Sequence, residues 1–144
     1  MNILACIDFS NASDKLVTEA IQFARQSAAS LWMLHVADPD PDFVGYKAGP
    51  QSVRDGVAKQ FHREHQQLQA MADRAREAGV EVTALLVQGP TVETILNEAS
   101  KLNAGVIVVG SHGHGAMYQM LMGSVSEGVI RQANCPVLVV PVSA

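Results

Sequence analysis

Five short apolar runs, each closed by a turn signal, alternate along the chain with four segments of helical periodicity. The runs are Asn2–Asp8 (NILACID), Ser30–Asp38 (SLWMLHVAD), Val80–Gly89 (VEVTALLVQG), Ala104–Ser111 (AGVIVVGS) and Cys135–Val142 (CPVLVVPV). Most are continuously apolar rather than alternating apolar and polar, the pattern of strands covered on both faces. Parallel strands need a crossover between them, and a helix is the usual crossover. The pattern therefore predicts an α/β fold of order β-α-β-α-β-α-β-α-β. Its sheet is open and parallel, with helices on both faces and right-handed connections.

The helical segments carry their own punctuation. In the first, Leu16, Val17, Ala20, Ile21 and Ala24 recur at helical spacing, with Ser10 or Ser13 as the expected N-cap. The second runs from about Ser52 to Ala78 and is expected to stop at Gly79. Pro90 suits the first turn of the third, which ends near Asn103. The fourth is expected over 124–133. The stretch from Asp38 to Ser52 contains Pro39, Pro41 and Pro50 and reads as a loop. At 144 residues, with no internal repeat, the chain is expected to form a single domain over 1–144 with one sizeable core.

Charge narrows the function classes. The formal net charge is −4, and no basic cluster offers a footprint for nucleic acid or anionic lipid. No apolar run approaches the ~20 residues that span a bilayer. The opening residues lack the charged start and small-residue cleavage site of an export signal, so a cytoplasmic location is expected. Cys6 and Cys135 lie in apolar surroundings and read as reduced thiols.

The chemistry concentrates in GSHGHGAMYQMLMGSVSEGV, Gly110 to Val129, a glycine-rich stretch without lysine or arginine. In open α/β sheets, ligands bind beyond the carboxyl ends of strands where the strand order reverses. Asp8 closes the first strand and Gly110 the fourth. Glycines at 110 and 113 permit close backbone approach. SVSE, Ser124 to Glu127, matches a capping box, with Ser124 as N-cap. Free N–H groups in the first turn there, together with the helix dipole, make an anion site. Backbone amides and serine hydroxyls can hold phosphate without a lysine, and a divalent metal carried by the ligand can supply positive charge. His112 and His114 are the nearest side chains able to become cationic.

Gly110, two residues, Gly113, nine residues, then Gly123-Ser124 is the spacing carried by nucleotide-binding members of the universal stress protein family. Together with the opening strand ending CIDFS, the second strand WMLHVAD and the closing GSVSEGVIRQANCPVLVVPV, the chain resembles that family over nearly its whole length. The resemblance implies a Rossmann-like five-stranded parallel sheet in the order 3-2-1-4-5. It implies ATP, or AMP or ADP, at the switch point, with magnesium or manganese. Asp8 would meet the ribose or the metal-nucleotide region, and the Val36 backbone the adenine edge. Gly110, Ser111, His112, Gly113, Gly123, Ser124, Val125 and Ser126 would surround ribose and phosphates. One departure is the nine-residue span HGAMYQMLM, which lacks the basic residue that many members have; this bears on the choice between ATP and AMP.

The remaining features have plainer readings. His35 reads as a packed strand residue. His62, Glu64 and His65 read as a solvated face of the long helix. His112 and His114 do not make a zinc site without further ligands nearby in sequence. Met117, Met120, Leu121 and Met122 form an apolar patch suited either to packing or to a partner. The last strand would be an apolar sheet edge that needs covering, and pairing of two copies there predicts a homodimer, with a tetramer as an extension. No Walker lysine, loop arginine or oriented base is visible. The expected function is thus a nucleotide-binding regulatory protein whose nucleotide state modulates a protein partner. The alternatives are a slow metal-dependent ATPase and a dimeric scaffold without nucleotide.

Overall fold

The computed structural model describes residues 1–10, 12–37, 51–111 and 123–141. The elements are β1 (Asn2–Cys6), α1 (Ser13–Gln26), β2 (Ser30–Ala37), α2 (Gln51–Glu77), β3 (Val82–Gln88), α3 (Thr91–Lys101), β4 (Val106–Gly110), α4 (Ser124–Gln132) and β5 (Val137–Val140). The five strands form one sheet in the order β3-β2-β1-β4-β5, and every neighbouring pair is parallel. This is the α/β architecture and strand order expected above.

Each face of the sheet has its own apolar cluster. Side chains alternate along β1, so Ile3, Ala5 and Ile7 pack on one face and Leu4 on the other. The first face is closed by α1 through Leu16, Val17, Ala20, Ile21 and Ala24, and by α2 through Leu68, Ala72 and Ala75. The opposite face is closed by α3 through Ile95 and Ala99 and by α4 through Val129. Helices α3 and α4 approach closely at Gly128, where an added Cβ would lie 2.9 Å from Val92 Cγ2.

The end of α2 shows how local chemistry stops a helix. Gly79 has φ +82°, its N–H donates to Arg76 O at 3.0 Å, and the Val80 N–H donates to Ala75 O at 2.9 Å. These are the paired bonds of a Schellman motif, and glycine adopts that φ without a Cβ penalty. Of the expected serine caps, Ser10 serves the approach to α1, its hydroxyl accepting the Ala12 N–H at 3.3 Å, and Ser124 does not cap α4. Ala12, in helical geometry, precedes α1 and makes no side-chain cap bond. Gly123 caps α4 in extended geometry with φ −63° and ψ 151°, so Ser124 is already the first helical residue. Glu127 pairs instead with Arg131 at 2.8 Å. A capping box needs an extended serine, and the extended residue here is one position earlier.

Candidate functional site

The ends of β1 and β4 meet at the reversal of strand order. Ala5 is level with Val108, so continuing the register sets Ile7 beside Gly110 and Asp8 beside Ser111. β1 stops at Cys6, and its last link to β2 is the Ile7 N–H donating to Leu34 O at 2.8 Å. The chain then turns sharply at Phe9, whose φ of 59° is left-handed. That conformation is uncommon outside glycine, and Asp8, just before it, is exposed.

The Asp8 carboxylate is held by its own turn. Oδ1 accepts the Ser10 N–H at 2.9 Å and the Ser13 hydroxyl at 3.1 Å. Ser13 thus gives Asp8 its hydroxyl, whereas Ser10 gives it only a backbone N–H and turns its own hydroxyl to the Ala12 N–H at 3.3 Å. Ser13 is buried at 4% exposure, so its hydroxyl is a fixed donor.

On the other side, the β4 end and the start of α4 are tied together. The Ser111 N–H donates to Val140 O at 2.9 Å, and the Gly123 N–H donates to Ser111 O at 2.9 Å. The first intrahelical donor is the Glu127 N–H, bonded to Gly123 O at 3.0 Å. The N–H groups of Ser124, Val125 and Ser126 therefore precede the helix's own ladder, the position at which a helix start suits an anion. The Ser126 side chain has a different task. It is buried at 5% exposure, and its hydroxyl donates to Gly110 O. That bond braces α4 against the end of β4.

Val36 presents backbone rather than side chain. Leu34 O faces β1, whereas Ala37 O accepts from Gly89 in the β3 direction. Backbone groups alternate in direction along a strand, so those of Val36 point the same way as those of Leu34. The β1–β2 ladder ends at Cys6 and Leu34, which leaves Val36 facing the space beyond β1. A planar ligand edge bearing one donor and one acceptor would complement an N–H and C=O so directed.

The sequence matches the universal stress protein family over residues 1–141. The chain belongs to that family. Universal stress protein YxiE of Bacillus subtilis is 31% identical over 143 residues, covering 96% of this chain and 97% of the relative. Among solved structures, hypothetical protein MJ0577 superposes with a TM-score of 0.83 at 26% identity, covering 99% and 96% of the two chains. A universal stress protein in complex with cAMP superposes with a TM-score of 0.73 at 26% identity, covering 99% and 98%.

Of the site residues read from this universal stress protein's sequence, Asp8, Val36, Gly110, Ser111, Gly123, Ser124, Val125 and Ser126 all lie at the carboxyl edge of the sheet or at the start of α4. His112 and Gly113 lie outside the described residues, as do His114, the methionine patch at 117–122 and the loop at 38–50. Among the described residues no cluster of three metal-ligating side chains occurs, and no helix is long and apolar enough to cross a membrane.

Two residues assigned plain roles from sequence enter the neighbourhood of the site. His35 Nδ1 lies 2.6 Å from Ile7 O, and its Nε2 lies 2.5 Å from Glu64 Oε2. Glu64 is therefore not part of a wholly solvated face, while His62 and His65 are exposed as expected. The sequence signal was weak: Glu64 is one turn from Leu68, which is fully buried, and so shares its side of α2. Cys6, on the face closed by α3 and α4, is a free thiol that burial pushes up to about 12. It remains protonated near neutral pH and is a poor nucleophile.

Proposed function

We propose that this universal stress protein binds an adenine nucleotide between the ends of β1 and β4 and acts as a regulatory binding protein. The observation that carries the reading is the set of groups at the switch point. The Asp8 carboxylate lies at one side, the outward backbone of Val36 at another, and the N–H groups of Ser124 to Ser126 at a third. Adenine offers the edge that Val36 complements, a ribose offers hydroxyls to Asp8, and phosphates suit the start of α4. The related universal stress protein in complex with cAMP supports the same ligand class. In this reading Gly110, Ser111, His112, Gly113 and Gly123 complete the wall around ribose and phosphate. Magnesium or manganese on the nucleotide would supply the positive charge that the glycine-rich stretch lacks.

Regulation follows from the edge strand. β5 pairs with β4 alone among the described strands, and the adjoining α4 carries Ile130, 43% exposed. A second copy pairing along β5 would cover this apolar edge, placing a homodimer interface directly beyond the nucleotide's α4 contacts. Nucleotide occupancy would then bias the dimer surface seen by a protein partner.

Nucleotide content after gentle purification tests the reading. Denatured protein is expected to release adenine nucleotide near one equivalent per chain, identified by mass. ATP retained intact argues for a binding protein; AMP or ADP with measurable turnover of added ATP and magnesium argues for slow hydrolysis. A chain that carries no nucleotide and fails to bind added ATP with magnesium would overturn the proposal.

A further inference from the structure

The His35 ring is bonded at both nitrogens to groups that accept. Nδ1 faces the Ile7 carbonyl at 2.6 Å, and a carbonyl oxygen has no proton, so Nδ1–H must donate. Nε2 faces Glu64 Oε2 at 2.5 Å. The pair is mostly sheltered, with side-chain exposures of 12% and 16%, where such a contact is worth more than at an open surface. Phe9 lies against the same imidazole, with ring centroids 4.3 Å apart and tilted by 42°.

We propose that His35 and Glu64 are positioning residues for Asp8, a strut running from α2 to the turn that ends β1. The Ile7 carbonyl and the Asp8 N–H belong to one rigid peptide plane. Pinning that carbonyl fixes the direction in which the chain enters Asp8. Phe9, seated on the imidazole, then holds the left-handed turn that follows. Asp8 is thereby fixed from two sides: its entering peptide by His35, and its carboxylate by the Ser10 N–H and the Ser13 hydroxyl. A carboxylate preset in this way loses less freedom when it meets a ligand's hydroxyls. The consequence for ligand affinity rests on the nucleotide reading above; the fixing of the turn does not.

The experiment uses the full chain in two assays. The first is hydrogen exchange at the Ser10 amide, which reports the turn without any ligand. Glu64→Ala is expected to lower Ser10 protection about tenfold, while Glu64→Gln, whose amide can still donate to Nε2 of a neutral imidazole, retains most of it. The second is affinity for ATP with magnesium. Glu64→Ala is expected to weaken binding about tenfold and Glu64→Gln about threefold or less. In an Asp8→Ala background the Glu64→Ala effect is expected to vanish, because the strut acts through Asp8. His35→Asn keeps a donor for the Ile7 carbonyl but severs Glu64, and decides the question if Glu64→Ala fails to fold. Wild-type Ser10 protection in the folded Glu64→Ala or His35→Asn protein overturns the strut. So does an affinity loss that is equal with and without Asp8. If the wild type binds no ATP, the nucleotide reading fails and the Ser10 amide still decides the strut.

Discussion

The two faces of the sheet are closed to different depths. Under α1 and α2 lies a continuous cluster in which Ile3, Leu31, Met33, Leu68 and Val108 are fully buried, and most of its side chains are inaccessible. Under α3 and α4 the fully enclosed set is small, and Trp32, Leu85, Val87, Val125, Val137 and Val139 are only partly buried around it. The shallow face also contains the Trp32 indole N–H, which has no hydrogen-bond partner among the described residues. The deep face is a scaffold. The shallow one carries the start of α4 and the edge strand β5, where the proposed nucleotide and second copy would dock.

The sharpest way to break this comparison is to make one substitution on both faces. Leu31→Ala, at a fully buried position, is expected to cost roughly 2–5 kcal/mol in urea unfolding. Leu85→Ala, half-buried three strand positions along in the neighbouring strand's ladder, is expected to cost about 1 kcal/mol. Equal losses would mean that the shallow face is as load-supporting as the deep one.

A second test acts where the shallow face is tight. Gly128→Val would drive a side chain into Val92, with an expected loss of about 1–3 kcal/mol. Adding Val92→Ala should recover much of it. No recovery in thermal unfolding would show that the glycine serves the helix backbone rather than the α3–α4 contact.

Alkaline pH provides a third, smaller effect. Burial raises the Cys6 thiol from its ordinary 9.0 to about 12. The folded chain then keeps a proton that the unfolded chain releases above pH 9, so this contribution is complete below pH 9 and is lost as pH rises toward 12. Cys6→Ala is expected to flatten the stability profile between those values; an unchanged slope in denaturant titrations would assign the alkaline loss to other groups.

The smallest expected effect is at Trp32. Trp32→Phe removes the unpartnered N–H while keeping an aromatic ring, so the lost packing is offset by relief of a desolvated donor. The net change should lie within about 1 kcal/mol. A larger loss by calorimetry would reveal a bond that the indole makes in solution.

The elements were legible in the sequence because their causes are local. Apolar runs separated by helical periods gave five strands and the helices between them, and Gly79 stopped α2 at the expected residue because its left-handed φ is a property of a single position. The serines were less legible: the Ser10 hydroxyl reaches the Ala12 N–H at the start of α1, while Ser13, the other candidate, gives its hydroxyl to Asp8. The spacing of Gly110, Gly123 and Ser124 singled out residues that the fold sets at the end of β4 and the start of α4, but it could not tell that the Ser126 hydroxyl donates to Gly110 O.

By itself, then, the sequence determined the element order, the α/β class and the family to which the chain belongs. Only the tertiary structure decided which side chains share the switch point and what each is free to do. His35 and Glu64 are 29 positions apart, on a strand and a helix, and nothing local relates them. They meet because α2 crosses back over β2 and turns Glu64 inward beside Leu68, and that juxtaposition is set by the stacking of whole elements rather than by the preference of any one residue.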